Sequence, residues 1–291
     1  MNDLFVVPNQ AISHQTLIRI QSVYGTLKTA ERKAADFILS DPEMIAAKSI
    51  SEVASVAGCS EATLVRLARR MSYSGYPELR SAVVKKTSEA SVLYQGIDKN
   101  DSQLNIITKV FSTSVQAIHD TLNILDIQKY EAAVEILKSA GKIMFLGSGD
   151  ASAVAMSGFY KFLRLGLDTV CQNEYDLQLV TASGLRPGDV VIAISHSGKT
   201  KTIIDVIKCA KEAGAAIIAI TNHPGSPLSK NSDIQLVTAA FNHNSMGEVM
   251  TKRIPELCII ESLYISLSLF DENKTEHSLE TSSRVLTANK I

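Results

Sequence analysis

The sequence lacks every paired-cysteine signature: its four cysteines, Cys59, Cys171, Cys209 and Cys258, lie far apart with no C-x-x-C. Each falls in an apolar pattern, which fits small-hydrophobe packing in a reducing cytoplasm. The opening residues, MNDLFVVPNQ, have no basic stretch followed by a sustained apolar core, so no signal peptide is expected. The most apolar late segment, Ile254 to Phe270, is interrupted by Pro255, Glu256 and Glu261; it reads as a buried helix rather than a membrane span. The six histidines (His14, His119, His196, His223, His243, His277) show no metal-ligand spacing, and no motif requires a cofactor. Internal repeats and low-complexity tracts are absent. Net charge is nearly absent too, at -1, which by itself points to neither nucleic acid nor membrane.

That small sum hides an uneven distribution. Residues 1–90 hold 11 Lys/Arg against 9 Asp/Glu, and the remainder 18 against 21. Arg66, Arg69, Arg70, Arg80, Lys85 and Lys86 are opposed within their span only by Glu78. A solvated helix face would produce the same run. Hydrophobic residues make up 45% of the 291, enough for ordinary cores, and at about 150 residues per domain the length suggests roughly two domains.

Two halves follow different patterns. Residues 16–88 read as short helices: apolar positions recur at helical spacing in LIRIQSVYGTLKTAERKAADFILS until Asp41-Pro42 breaks the pattern. Ser49 and Ser51 are candidate N-caps for ISEVASVAG, ended by Gly58, and Ser60 can cap EATLVRLARRM. Ile50–Ala57, the turn Gly58-Cys59-Ser60 and Glu61–Met71 have the proportions of a helix-turn-helix. Val53, Ala54, Leu64, Val65 and Leu67 would pack inward, leaving Ser60, Glu61, Ala62, Thr63 and Arg66 near the leading face of the second helix. Arg66 can read guanine or grip phosphate, Ser60 and Thr63 can bond phosphate or a base edge, and Arg69 and Arg70 would lie beside the backbone. A helical dimerisation domain with a solvated cationic face would show the same periodicity.

Ser88 to Asn105 reads as a linker, and a long helix of about Ile106 to Leu125 follows. From Ile127 the strand-like runs KIMFLG, LDTVC, DVVIAIS, AAIIAITN and DIQLVT alternate with helical stretches, which implies a parallel sheet covered on both faces. The residues from about Glu272 onward are polar and read as a frayed tail. The organisation is therefore a helical domain with the proportions of a helix-turn-helix over 1–90, a linker and connecting helix over 91–125, an α/β domain over 126–271, and a tail over 272–291.

Three motifs in the second half invite an enzymatic reading. Gly147-Ser148-Gly149-Asp150-Ala151-Ser152 nearly matches G-x-G-x-x-G, with Glu174 as a possible ribose-binding acid, but Ser152 replaces the third glycine. Gly198-Lys199-Thr200 ends like a Walker A loop whose first glycine would have to be Ala193. Ser195-His196 lacks a nucleophile elbow. Simpler chemistry remains. Ser195, Ser197, Gly198 and Thr200 lie where a strand runs into a helix, and Ser148 and Ser152 occupy the preceding such junction. Hydroxyls, backbone N–H groups and the helix dipole there suit an anion. Plain helix capping is the competing explanation for one loop, and two successive loops favour the anion.

The segment LKTAERKAADFILSDPEMIAAKSISEVASVAGCSEATLVRLARRMSYSGYPELRSAV resembles the N-terminal domain of the RpiR/MurR family of bacterial transcription regulators. Leu67 stands where phenylalanine is common. GSGDAS, DVVIAISHSGKTK, AIIAITN and SPLSKNSD, in order, resemble the sugar isomerase (SIS) domain. The resemblance implies a five-stranded parallel sheet in a flavodoxin-like sandwich. Its S-x-S-G-x-T loop, here Ser195 to Thr200, holds a phosphosugar's phosphate, and Ser148 and Ser152 contact the sugar or its phosphate. Asp176 stands before Gln178 where relatives often carry a histidine, so that contact does not carry over. SIS domains also serve isomerases; Glu174, Glu248 and His243 would be the candidate bases, and none is assigned a catalytic role. The expectation is a regulator, a homodimer or homotetramer on a palindromic operator, responsive to a phosphorylated sugar. The alternative is a SIS-type isomerase with a helical assembly domain.

Overall fold

The computed structural model describes residues 12–84, 97, 100–241 and 251–287, so Lys85, Lys86, His243, Glu248 and most of the expected linker lie outside the described residues. Contacts divide the chain into two compact units, Met1–Gln116 with Phe241–Met250, and Ala117–Ala240 with Thr251–Ile291.

The first unit is helical: α1 His14–Tyr24, α2 Thr29–Ser40, α3 Pro42–Ala47, α4 Ile50–Ala57, α5 Glu61–Arg70 and α6 Tyr76–Ala82. Local chemistry sets the boundaries. Asp41-Pro42 breaks the pattern as expected, ending α2, and also starts α3: Asp41 accepts from Met44 N–H at 3.0 Å and Pro42 fills the first turn, where its missing N–H costs nothing. Ser49 accepts from Glu52 N–H, and Glu52 returns a bond to the Ser49 N–H. Gly58 ends α4 at φ +62°, which glycine adopts without strain. Val53, Leu64 and Leu67 are completely buried among Ile20, Leu39 and Leu79. Val65 is only partly buried, and Ser51 lies inside α4 and donates to Glu61 instead of capping.

The long helix α7 spans Gln103–Ile124, and the division between units falls within it. The second unit then alternates: α8 Ile127–Lys138, β1 Ile143–Gly147, α9 Ala151–Arg164, β2 Thr169–Cys171, α10 Tyr175–Ser183, β3 Val190–Ile194, α11 Lys201–Glu212, β4 Ala216–Thr221, α12 Pro227–Lys230 and β5 Ile234–Val237. All five expected strands form one parallel sheet, ordered β2-β1-β3-β4-β5. Alternation along β1 explains its uninterrupted apolar run. Ile143 and Phe145 face one core with α8, α9 and α13 (Arg253–Ser268), while Met144 and Leu146 face another with α10 and α11.

Two expectations differ. Residues 272–287, read as frayed, form helix α14, and Arg164 on α9 donates to its Ser282 and Ser283. A polar composition hid a helix that one cationic side chain helps to hold. All four cysteines are free, and Cys258 is exposed rather than packed.

Gly158 on α9 lies against Phe145, and a Cβ there would fall 2.4 Å from the Phe145 ring. Phe145 is fully buried and meets Phe162 edge-to-face at 5.0 Å, so it has little room to yield. Gly158→Ala is expected to destabilise the α/β unit by about 1–3 kcal/mol through overpacking, despite alanine's better helix propensity. Urea unfolding monitored on the two units would report it as an earlier transition of the second.

Candidate functional site

The sheet order reverses direction at β1: β2 lies on one side and β3 on the other. Ligands of open α/β sheets collect at the carboxyl ends of strands flanking such a point. The register pairs Gly147 with Ile194, so Ser148 and Ser195, the next residues, leave neighbouring strands side by side, about 5 Å apart. The structure thus brings the two serine loops to one edge.

Helix capping tells this edge from the rest of the unit. Asp126, Glu174 and Ser226 cap α8, α10 and α12 through their side chains. Asp150 and Thr200, at the cap positions of α9 and α11, make no side-chain cap, and the first turn of α11 carries no acid. Thr200 instead pairs its hydroxyl with Ser195 at 3.3 Å. Ser197 Oγ accepts from Lys199 N–H at 3.3 Å, which leaves its proton for a ligand. Ser148 is exposed, and Ser152 donates to the Gly149 carbonyl at 2.7 Å. Plain capping therefore does not account for Thr200, and the positive pole of α11 carries neither a side-chain cap nor a first-turn acid, an arrangement suited to an anion.

The loop after β4 braces this arrangement. Gly198 adopts φ +61° and approaches Ser226 so closely that a Cβ would fall 2.1 Å from its hydroxyl. Leu228 N–H donates to the Gly198 carbonyl, and Thr221 and Asn222 donate to that of His196. Gly198 therefore serves approach to protein as well as access for a ligand. The His196 ring meets His223 edge-to-face at 5.6 Å, away from the role of a base for Ser195. Burial, with Lys199 adding to it, pushes the His223 pKa down to about 4 and keeps that ring neutral. On the other side, Gln178, which is 2% exposed, donates to the carbonyls of Gly147 and Gln172 and props the first loop. Glu174 accepts from Leu177 N–H at 2.9 Å, and the backbone bonds hold its pKa below the usual carboxylate value; it is a helix cap rather than a base or a ribose ligand.

One cluster had no sequence signal. Arg253, at the start of α13, donates through Nη2 to Asp150 at 2.6 Å and through Nη1 to Glu256 at 2.5 Å. Lys252 lies 3.2 Å from the same Asp150 carboxylate. The Arg253 hydrogen bond, with help from Lys252, holds the Asp150 pKa down, whereas burial pushes Glu256, 0% exposed, up to about 7. Among the described residues no group of three potential metal ligands occurs, and no helix is long and apolar enough to cross a membrane.

In the helical unit, Ser60 caps α5 by accepting from Thr63 N–H. Glu61, Ala62, Arg66 and Arg69 are exposed around the half-buried Val65 and form one face of α5. Two expected contacts differ. Thr63 is 3% exposed, with its hydroxyl engaged by Ser60 and Arg66, because its position turns it toward the core. Arg70 turns back to α2, bonding Glu31 at 2.9 Å and Thr26 at 2.6 Å, so it holds the helices together.

A helix-turn-helix unit joined in one chain to an α/β unit with an anion-suited switch point defines the class of ligand-responsive, DNA-binding regulators. Family comparison agrees: residues 14–90 match the helix-turn-helix domain of the rpiR family, and residues 136–266 match the SIS domain. An HTH-type transcriptional regulator of Thermotoga maritima is 33% identical over 262 residues, covering 89% of this chain and 94% of that one. The HTH-type transcriptional regulator HexR of Pseudomonas aeruginosa is 32% identical over 254 residues, covering 87% and 89%. Among solved structures, the Vibrio vulnificus NanR protein complexed with ManNAc-6P superimposes with a TM-score of 0.61 at 26% identity, covering 94% of this chain and 98% of that one. The chain belongs to the rpiR family of HTH-type transcriptional regulators.

Glu256 yields a prediction with a definite sign. Its pKa rises from 4.5 to about 7 on folding, so the folded state holds more protons than the unfolded one between those values. Stability therefore falls as pH rises through that window, by about 3 kcal/mol for a shift of that size. Glu256→Gln is expected to leave the melting temperature near wild type at pH 4.5 and to raise it at pH 8. Calorimetric scans showing equal differences at both values would refute this.

Proposed function

We propose that the α/β unit binds a phosphorylated sugar at the switch point, and that occupancy alters how the helix-turn-helix unit grips operator DNA. The observation that carries the reading is the pair of adjacent helix N-termini, α9 and α11, left without side-chain caps beside hydroxyls that can donate to phosphate. Ser195, Ser197, Gly198 and Thr200 hold the phosphate, while Ser148 and Ser152 contact the sugar or its phosphate. The complex of NanR with ManNAc-6P supports the ligand class. Differential affinity of the ligand for two arrangements of an oligomer is what shifts DNA binding. The protein works in the cytoplasm as a homodimer or homotetramer on a palindromic operator. Leu104, Ile107, Phe111, Val115 and Leu122, all more than half exposed along α7, supply apolar surface for a second copy.

The isomerase alternative has less behind it. Glu174 is engaged as a helix cap, and the family relatives carry the helix-turn-helix of a regulator. The protein is read as a regulator without catalytic residues. On DNA, Arg66 and Arg69 are the principal contacts, Glu61 and Ser60 lie at the leading end of the face, and Thr63 and Arg70 act by holding α5 in place.

Ser195→Ala combined with Ser197→Ala is expected to abolish the rise in melting temperature that a responding sugar phosphate produces, with the unliganded melting temperature kept within a few degrees. An undiminished response would rule out the loop, and no response of the wild type to any of a broad panel would rule out the ligand class. Arg66→Ala should weaken operator binding by about 1–3 kcal/mol while sugar-phosphate binding is preserved. Gel-shift titration with unchanged affinity would remove Arg66 from the interface, and one chain per operator would exclude the two-fold arrangement.

A further inference from the structure

Asp150 stands at the cap position of α9 yet makes no side-chain cap there. Its Oδ1 accepts from Arg253 at 2.6 Å and its Oδ2 lies 3.2 Å from Lys252 Nζ. Lys252 is the cap residue and Arg253 the first residue of α13, whose N-terminus also lacks a side-chain cap. An anion of the protein itself thus rests where two helix N-termini and two cations converge, two residues from Ser148 and two from Ser152.

What lies behind Arg253 is unusual for an ordinary ion pair. Glu256 is fully buried and holds Nη1 with one oxygen, while its Oε1 and the Arg253 Nε are buried without a hydrogen-bond partner in the structure. A buried carboxylate satisfied on one side only is costly. It does fix the guanidinium from behind, so that Nη2 faces the first loop whatever anion occupies it.

We propose that Asp150 is a resident anion, displaced from Arg253 and Lys252 when the phosphate of the effector arrives, and that Glu256 is a positioning residue that keeps Arg253 aimed at the loop through the exchange. The inference rests on the switch point being the effector site. A phosphate carries more charge and more acceptor oxygens than a carboxylate, so it outcompetes Asp150 for a guanidinium and an ammonium. The released Asp150 can then accept from the first N–H groups of α9, which here donate to the carbonyls of Ser148, Gly149 and Asp150, and so take the usual role of an aspartate at that position. The exchange trades a contact between the β1–α9 loop and α13 for a cap on α9, which ties ligand arrival to a rearrangement of helices.

The test uses the full-length protein with inorganic phosphate as probe, titrated by melting temperature. Asp150→Asn keeps a side chain able to cap and removes the competing charge; it is expected to bind phosphate about tenfold more tightly than wild type. Arg253→Ala combined with Glu256→Gln removes the cation without stranding a buried carboxylate, and should bind about tenfold more weakly. Glu256→Gln alone should lose several-fold in phosphate affinity at pH 8 while gaining thermal stability. Opposite signs separate positioning from a merely structural role, and a loss or gain of both together would overturn the role of Glu256. A wild-type response with no tighter binding by Asp150→Asn would overturn the exchange while leaving the effector site standing. No response of the wild type to phosphate or to any sugar phosphate would overturn both.

Discussion

The register between β1 and β3 is the constraint on which the rest of the α/β unit depends. Because Gly147 lies opposite Ile194, two strand ends finish at the same level and hand their chains to two helices that start side by side. A slip of one residue would turn every side chain of β3 to the opposite face and dismantle both apolar cores. The same pairing that buries Phe145 and Ile192 thereby sets Ser148 beside Ser195. Core packing and the proposed anion site are thus fixed by one set of backbone hydrogen bonds.

In the helical unit the comparable constraint is the angle between α4 and α5. Gly58 in its left-handed conformation, the reciprocal bonds of Ser49 and Glu52, and the Ser51–Glu61 hydrogen bond set it locally. Leu64 and Leu67 then bind α5 to the core. Arg70 adds a bond across 39 residues to Glu31 and Arg80 donates to the Ala46 carbonyl, so among the described residues the basic run divides into Arg66 and Arg69, which face outward, and two side chains that serve as struts. Charge counted along a sequence does not make that distinction; the phase of the helix and the reach of each side chain do.

What was legible in the sequence was local or periodic. The five strands stood out as short apolar runs between helical stretches, and Ser49, Gly58 and Ser60 announced their turns because caps act within three residues. The serine loops were visible as residue types at strand–helix junctions. The Asp150–Arg253 pair was not, because its members are separated by 103 positions and each resembles a surface charge by itself. Glu256 reads in the sequence as an interruption of an apolar segment, yet it is completely buried, with Arg253 as the reason it is tolerated. Thr63 reads as outward-facing from its place at the helix start, but the rotation of α5 turns it to the core, and the polar composition of α14 masks a helical run.

The way the switch-point helices are left open bears on how such a regulator diverges. In the proposed site, the main-chain N–H groups at the start of α11 would survive almost any substitution there, whereas the hydroxyls beside them rest on a few serines and a threonine. On that reading, discrimination between one sugar and another falls to the side chains that surround the phosphate. If the site is as proposed, the phosphate contact follows from the backbone and a few hydroxyls, while the identity of the sugar is left to residues that can drift. A fold divided in this way can be retuned to a new metabolite by a handful of substitutions without rebuilding its anchor.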